Sequence, residues 1–376
     1  MKKIVAPLAL FYFCCPAAYA EAPKLFGNLF VQGYYSDANF DADKKQLADK
    51  YPTYQGSGKY GEDDFHIKTY KSTIGLRGSE PISATTDVVY QFQFGVNLTE
   101  SNGSSVDLPN RSNYLGLKND TWGTIRAGRY WTPVDLINNV VVAKGIWDNN
   151  GTTQLSKTTQ SVNALNMTDA VPRVSNVLFW QSPERKDLPF ELFVMYQADE
   201  DNEYHNGEGF GSYLTYKPNN GLVASVAYDK DLEISGSLVR GTATYDLAKS
   251  TNVPVTLGAL YQVADYDGYS EKEKGMVLSA KLGLSNFARP ASVYAQYNRS
   301  TDLHGISGAD SNQIAIGGEY NFKDNVIAHA YMGYNKAKGV EGYLGTQEDA
   351  NGELTPLYAK GDSDYFAIGT GLQYKF

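Results

Sequence analysis

The sequence predicts an all-β chain whose strands close into a membrane-spanning antiparallel barrel, and three observations carry that prediction. The first is the final stretch, Asp364 to Phe376. Its alternate positions Phe366, Ile368, Thr370, Leu372, Tyr374 and Phe376 are apolar but for one threonine. Between them stand the small or polar positions Tyr365, Ala367, Gly369, Gly371, Gln373 and Lys375. Period-two alternation of this length is a strand with one oily face and one wetted face. The second is that no run after the first 20 residues reaches 18 consecutive apolar positions, so a membrane-spanning helix is not available. Lipid cannot satisfy an open strand edge, so a spanning sheet must close. The third is that short and long connections between the strands alternate along the chain.

The first residues read as a secretory leader. Lys2 and Lys3 precede an apolar run from Ile4 to Cys15, and Ala18-Tyr19-Ala20 gives an A-x-A site, so residues 1–20 are expected to be removed before Glu21. No small-residue lipobox precedes Cys14 or Cys15. Both cysteines fall in this leader, which leaves the remaining chain, 21–376, without a disulfide framework or a cysteine metal site. Losing Lys2 and Lys3 takes the formal charge from −9 to −11. An acidic chain disfavours a nucleic-acid partner, and its acidity fits loops facing water. Abundant tyrosine (29) and glycine (36) with only 20% charged residues suit a wet-lined barrel with aromatic girdles and tight turns.

Sixteen strands are expected, at about 25–35, 65–79, 86–98, 111–118, 124–130, 173–182, 190–198, 209–217, 222–229, 235–247, 253–264, 274–284, 291–299, 311–322, 326–335 and 364–376. The third is the clearest, with Val88, Tyr90, Phe92, Phe94, Val96 and Leu98 on one face. Alternation is most blurred in the fifth, sixth and eighth. Short connections at 80–85, 119–123, 218–221, 248–252 and 323–325 carry turn chemistry in most cases. Long ones lie at 36–64, 99–110, 131–172, 199–208, 300–310 and 336–363. That asymmetry is the short-turn periplasmic side and long-loop external side of an outer-membrane barrel.

Charge placement agrees. A Lys or Arg facing lipid at mid-bilayer costs ~2–4 kcal/mol. Arg240 shares a face with Leu238, Thr242, Thr244 and Asp246, while Val239, Gly241, Ala243 and Tyr245 opposite it carry no charge. Lys281, with Ser279 and Gly283, opposes Met276, Leu278, Ala280 and Leu282. Both cations are thus kept for the watery interior. A soluble β-sandwich would also alternate, but the leader and the strand lengths argue against it.

Several segments together resemble the general trimeric porins of Gram-negative outer membranes. They are Ser72-Thr-Ile-Gly-Leu-Arg-Gly78, Arg111-Ser-Asn-Tyr-Leu-Gly-Leu-Lys118, Trp122-Gly-Thr-Ile-Arg-Ala-Gly-Arg129, Arg173-Val-Ser-Asn176 leading to Trp180-Gln-Ser-Pro183, and the terminal Tyr374-Lys-Phe376. The resemblance implies a 16-stranded barrel, a homotrimer, an inward-folded third loop that narrows the pore, and Phe376 as the signal read by the barrel-assembly machinery. It assigns 131–172 as the constriction loop. Folding inward would bury Leu136-Ile137, Val140-Val141-Val142 and Ile146-Trp147, which are poorly placed in water. An external flap or a subunit contact is the alternative. By the resemblance, Arg111 and Arg173 match wall arginines and Arg126 follows by alternation, facing the loop acids Asp135, Asp148 and Asp169 across an eyelet. A field in such a passage discriminates solutes by charge. The family's Pro-Glu-Phe-Gly-Gly loop segment is replaced by Trp147-Asp-Asn-Asn-Gly151, and Thr73 stands where an arginine is common. Arg129 falls out of the inward register, and pairing with Glu100 or Asp107 of a neighbouring subunit is expected.

The function implied is passive diffusion of small hydrophilic solutes and ions across the outer membrane. Lipid and lipopolysaccharide would be the surroundings, and no cofactor is needed. A substrate-selective channel, for instance for oligosaccharides, and an adhesin or receptor acting through its loops are the alternatives. Enzyme chemistry finds no constellation. His66, His205, His304 and His329 are the four histidines, and neither H-E-x-x-H nor G-x-S-x-G occurs. The acidic run 199–203 lacks the glycine turn and closing glutamate of a calcium loop. The acidic total leans toward a mild cation preference, against which the wall arginines act.

Overall fold

The computed structural model describes residues 22–99, 108–148, 173–185, 187–198, 207–348 and 354–376. The leader, the cleavage site, Glu100, Asp107 and Asp169 lie outside the described residues. Seventeen strands form one sheet: β1 (Lys24–Ala42), β2 (Lys59–Thr69), β3 (Thr73–Pro81), β4 (Thr86–Gly95), β5 (Asn113–Asn119), β6 (Gly123–Trp131), β7 (Arg173–Gln181), β8 (Phe190–Gln197), β9 (Gly209–Tyr216), β10 (Leu222–Lys230), β11 (Gly236–Asp246), β12 (Val255–Tyr266), β13 (Lys272–Leu284), β14 (Ala291–Thr301), β15 (Asp310–Lys323), β16 (Val326–Glu348) and β17 (Leu354–Lys375). Every pairing is antiparallel, and β1 closes the ring on β17 from Asn28↔Lys375 to Ala42↔Gly361. Closure leaves no edge for lipid to strand.

The seventeen strands make sixteen staves. Both β2 and β3 pair with β1, through Val31–Asp41 and Lys24–Asn28 respectively. They are one stave, expected as a continuous 65–79, broken at 70–72 where Lys71 takes φ 43°. The break is held by Phe30, whose N–H donates to Ser72 Oγ at 2.8 Å and whose carbonyl accepts from Tyr70 N at 2.8 Å.

The faces sort as the alternation requires. On β17, Tyr365 and Ala367 are buried while Ile368 and Leu372 are exposed to the outside. On β11, Leu238, Arg240 and Thr242 are buried and Val239 points outward. The outer face also marks its own boundary. One row of register partners, Leu278, Tyr297, Ile314, Tyr334 and Phe366, is apolar across five strands. The next row out begins at Met276 on β13 and is polar from β14 to β1, through Arg299, Asn312, Lys336, Asp364 and Asn39. An aromatic row beneath a polar one is the pattern of a membrane–water interface.

The expected loops at 36–64 and 336–363 are largely strand. β1 runs on to Ala42, β2 begins at Lys59, β16 reaches Glu348 and β17 starts at Leu354. Alternation persists in this ribbon on the inner side only, through Phe40, Ala42, Val340, Leu357 and Ala359, all buried. Its outer positions are mostly polar, with Asp41, Glu341, Lys360 and Asp362 beside the pair Tyr343 and Tyr358, which hid it from a search for oily faces. Helix α1 (Lys44–Lys50), capped by Asp43 accepting from Lys45 N and Gln46 N, folds back on it and buries Leu47.

Candidate functional site

Residues 132–148 leave the end of β6 and run around the inside of the barrel. The short helix α2 (Pro133–Leu136) starts the path against β9, β10 and β11, and a 3-10 turn (Gly145–Trp147) ends it against β16 and β17. Wall-facing side chains recur every third residue and then at a step of four: Val134, Ile137, Val140, Ala143 and Trp147, each at most 4% exposed. Of the apolar patches expected to be covered, Ile137, Val140 and Trp147 are buried and Leu136, Val141, Val142 and Ile146 half-buried.

Hydrogen bonds from successive staves fasten the strap. Thr242 Oγ1 donates to the Ile137 carbonyl at 3.1 Å, and Ser279 Oγ donates to that of Val140 at 2.6 Å. Gln296 Oε1 accepts from Val142 N at 2.8 Å and Ala143 N at 3.0 Å, and Tyr294 Oη from Lys144 N at 3.2 Å. Trp147 Nε1 donates to the Ala367 carbonyl at 3.1 Å. A Cβ at Gly333 would stand 2.6 Å from the Trp147 ring, so only glycine lets the indole reach the wall there. Gly145, at φ 60°, lets the backbone pass Tyr331 just as closely.

Each end of the strap is fixed by charge. At the start, Arg240 lies 3.3 Å from Asp135 and also donates to the Val134 carbonyl at 2.8 Å and to Gln262 Oε1 at 2.7 and 2.9 Å. Both members of the pair are buried. Asp229 of β10 and Glu233, in the turn after it, crowd the same place, and Thr132 donates to Glu233. Burial raises the Glu233 carboxyl well above its ordinary range, and the neighbouring Asp135 and Asp229 add to this. At the far end, Lys71 in the broken stave meets Asp148 at 3.0 Å. Between them, Lys281 pairs with Glu319, whose other oxygen stands 3.8 Å from His329 Nδ1.

The structure therefore places Asp135, Asp148, Arg240 and Lys281 inside, each in a charge pair. The pairing arginine for Asp135 is Arg240. Arg126 faces inward over Tyr114 and Phe179, with ring centres at 5.2 and 5.7 Å, and donates to Gln181 Oε1 at 3.3 Å. Arg111 lies over Gly95 on the inner side of β4. Arg173 is 9% exposed, stacked 3.6 Å from the Trp131 ring centre and donating to Ser112 Oγ at 3.1 Å. Arg129 donates to Ser175 Oγ at 2.7 Å, beside the irregularity where Asn176 takes φ 57°. Phe376 pairs its backbone with Gly27 and stacks on Tyr374 at the closing seam.

Lys71, Asp229, Glu233 and Glu319 were missed by sequence reasoning. Alternation holds the signal for Asp229, which follows Ser225 and Ala227, and for Glu319, which follows Gln313, Ala315 and Gly317. No local pattern marks Lys71 or Glu233.

A closed barrel, oily outside and crossed within by a fastened loop, is a transmembrane channel. The description "Gram-negative porin" belongs to the family model that matches residues 6–340, and the chain belongs to that family. It is 22% identical to outer membrane protein Omp-EA of Erwinia amylovora, over 81% of this chain and 83% of that protein. Its fold is similar to an anion-selective porin from Comamonas acidovorans (TM-score 0.68, 18% identity, 94% of this chain and 99% of that one). It is also similar to Salmonella typhi OmpF in complex with daunomycin (TM-score 0.62, 16% identity, 94% and 97%) and to the trimer form of OmpT from Vibrio cholerae (TM-score 0.55, 15% identity, 95% and 100%). The chain is an outer-membrane porin, a channel for passive diffusion of small hydrophilic solutes.

Proposed function

We propose that residues 131–172 form the constriction of this channel and that the channel works as a homotrimer without catalytic chemistry. The observation that carries the reading is the strap itself. Residues 132–148 are tied to staves on most of the inner circumference, so the chain narrows the passage along its whole path. Charges around it then set which solutes pass: Asp135 and Asp148 from the loop, and Arg111, Arg126, Arg173, Arg240 and Lys281 from the wall. A field across a narrow low-dielectric passage sorts polar solutes by charge and orients them. Asp169, Glu100 and Asp107 keep the roles proposed for them, the first at the eyelet and the others against Arg129 of a neighbouring subunit. Removal of residues 1–20, recognition of Phe376 by the assembly machinery, and contact of the polar outer row with lipid and lipopolysaccharide headgroups complete the reading.

Liposome swelling tests the constriction. Trp147→Ala, which frees the end of the strap from β16 and β17, is expected to admit larger sugars than the wild type excludes. An unchanged exclusion limit in a folded barrel would contradict the constriction.

A further inference from the structure

We propose that the channel prefers small anions, chloride and inorganic phosphate among them, over cations of the same size. This rests on the reading of the chain as an open channel, and it reverses the expectation drawn from the acidic total charge. What a permeating ion meets is the charge exposed on the inner face, and there the two signs are unequally placed. In the Lys71–Asp148 pair the lysine side chain is 31% exposed and the aspartate 13%. In the Lys281–Glu319 pair the figures are 36% and 14%. Asp135 is withdrawn further, at 2%, beneath Arg240. In each exposed pair the carboxylate is set back into the wall and the ammonium stands toward water.

The opposite wall adds cations. Neither Arg111 nor Arg126 pairs with a carboxylate among the described residues, and both lie on the inner face of β4–β7. Against them, Asp87 and Asp246 stand inward at the short-turn ends of β4 and β11, and the acid linked to Arg126 is Glu191, which accepts from Tyr213 and from Gln181 Nε2 at 3.0 Å. It offsets Arg126 through that shared amide and leaves Arg111 unopposed. Residues 149–172 contain one lysine, Lys157, and one aspartate, Asp169, so they add no net charge. Among the described residues, Asp37, Asp41, Asp63, Asp362 and Asp364 stand on the outer face and ribbon, outside the passage.

The test is the zero-current potential of single channels held in a KCl gradient. A charge ~8 Å from an ion's path in a water-like medium changes its local concentration by about twofold. The wild type is expected to give the anion sign, and Arg111→Gln to lower the chloride-to-potassium permeability ratio by about twofold. Lys281→Met, which removes a cation and bares Glu319, should lower it further. Raising the salt from ~0.1 to ~1 M shortens screening from ~10 to ~3 Å and should shrink the wild-type preference without any variant. A cation sign in the wild type, or a ratio that ignores salt, would overturn the inference while leaving the channel intact. Absence of conductance would instead overturn the reading on which it rests.

Discussion

Two parts of the wall differ in height by a factor that the membrane alone does not require. On one side β16, β17 and β1 run for 23, 22 and 19 residues. On the other, β5, β8 and β9 run for 7, 8 and 8. A tilted strand needs ~9–11 residues to cross the hydrocarbon. The low wall is therefore about as long as the bilayer demands, and roughly half of the tall wall stands in water. Their inner faces hold different things. Inside the low wall lie Phe179, Phe193, Met195 and Tyr213, packed around Val134 and Ile137 at the start of the strap. Inside the tall wall lie Tyr34, Tyr365 and Tyr331 with Trp147 at its end, and above them Phe40 and Leu47. The low wall carries the start of the strap; the tall wall carries its end and, above it, the ribbon. Substitutions should divide along that line.

The largest effect is expected from Arg240→Ala. It removes the cation that faces Asp135, Asp229 and Glu233 in a buried site, and breaking a buried pair costs ~3–5 kcal/mol. The midpoint of thermal unfolding, followed by the gel-mobility change on heating, should fall accordingly. Trp147→Ala comes next, with a loss of ~3–5 kcal/mol spread over strap and wall, because the loop can relax where Arg240 cannot. Its mark is a rise in single-channel conductance along with the lower midpoint.

Phe40→Ala probes the ribbon. The ring fills the space left by Gly342 and Gly361, where a Cβ would stand 2.6 and 2.7 Å from it. Proteolysis of the external ribbon should quicken several-fold while conductance stays at the wild-type level. A changed conductance would erase the proposed division between the two walls.

A smaller effect has a definite sign with pH. Glu233 carries a raised pKa when folded, so the folded state binds more protons than the unfolded one. Stability should thus decline as pH rises from the ordinary glutamate pKa, ~4.3, up through the raised value. Glu233→Gln should raise the midpoint at neutral pH and flatten that slope. Lys59→Ala, by contrast, breaks an exposed pair with Asp41 at 2.8 Å and should leave the midpoint unmoved.

Much of the barrel was legible because lipid enforces alternation. The stave expected at 190–198 is Phe190–Gln197, and that expected at 291–299 is Ala291–Thr301. The ribbon was not legible, since from the polar row upward an outward side chain meets water and Asn39 and Asp41 satisfy it. The break at Lys71 was hidden for another reason: the groups that hold it and meet it are far off in sequence, Phe30 and, 77 residues away, Asp148. The site divided the same way. Inward placement of Arg126, Arg240 and Lys281 followed from period two. Which acid meets which cation depends on the course of the strap, and that is set by Gln296, Ser279 and Gly333, residues ordinary in their own strands.

Planar-bilayer recording of the purified chain in concentrated KCl bears most directly on the claim that oily faces look out and a strapped water column lies within. Stepwise openings with a linear current–voltage relation, larger in Trp147→Ala than in the wild type, are the predicted result. A purified, folded chain that inserts and carries no current, or one whose conductance ignores the loss of Trp147, would contradict it.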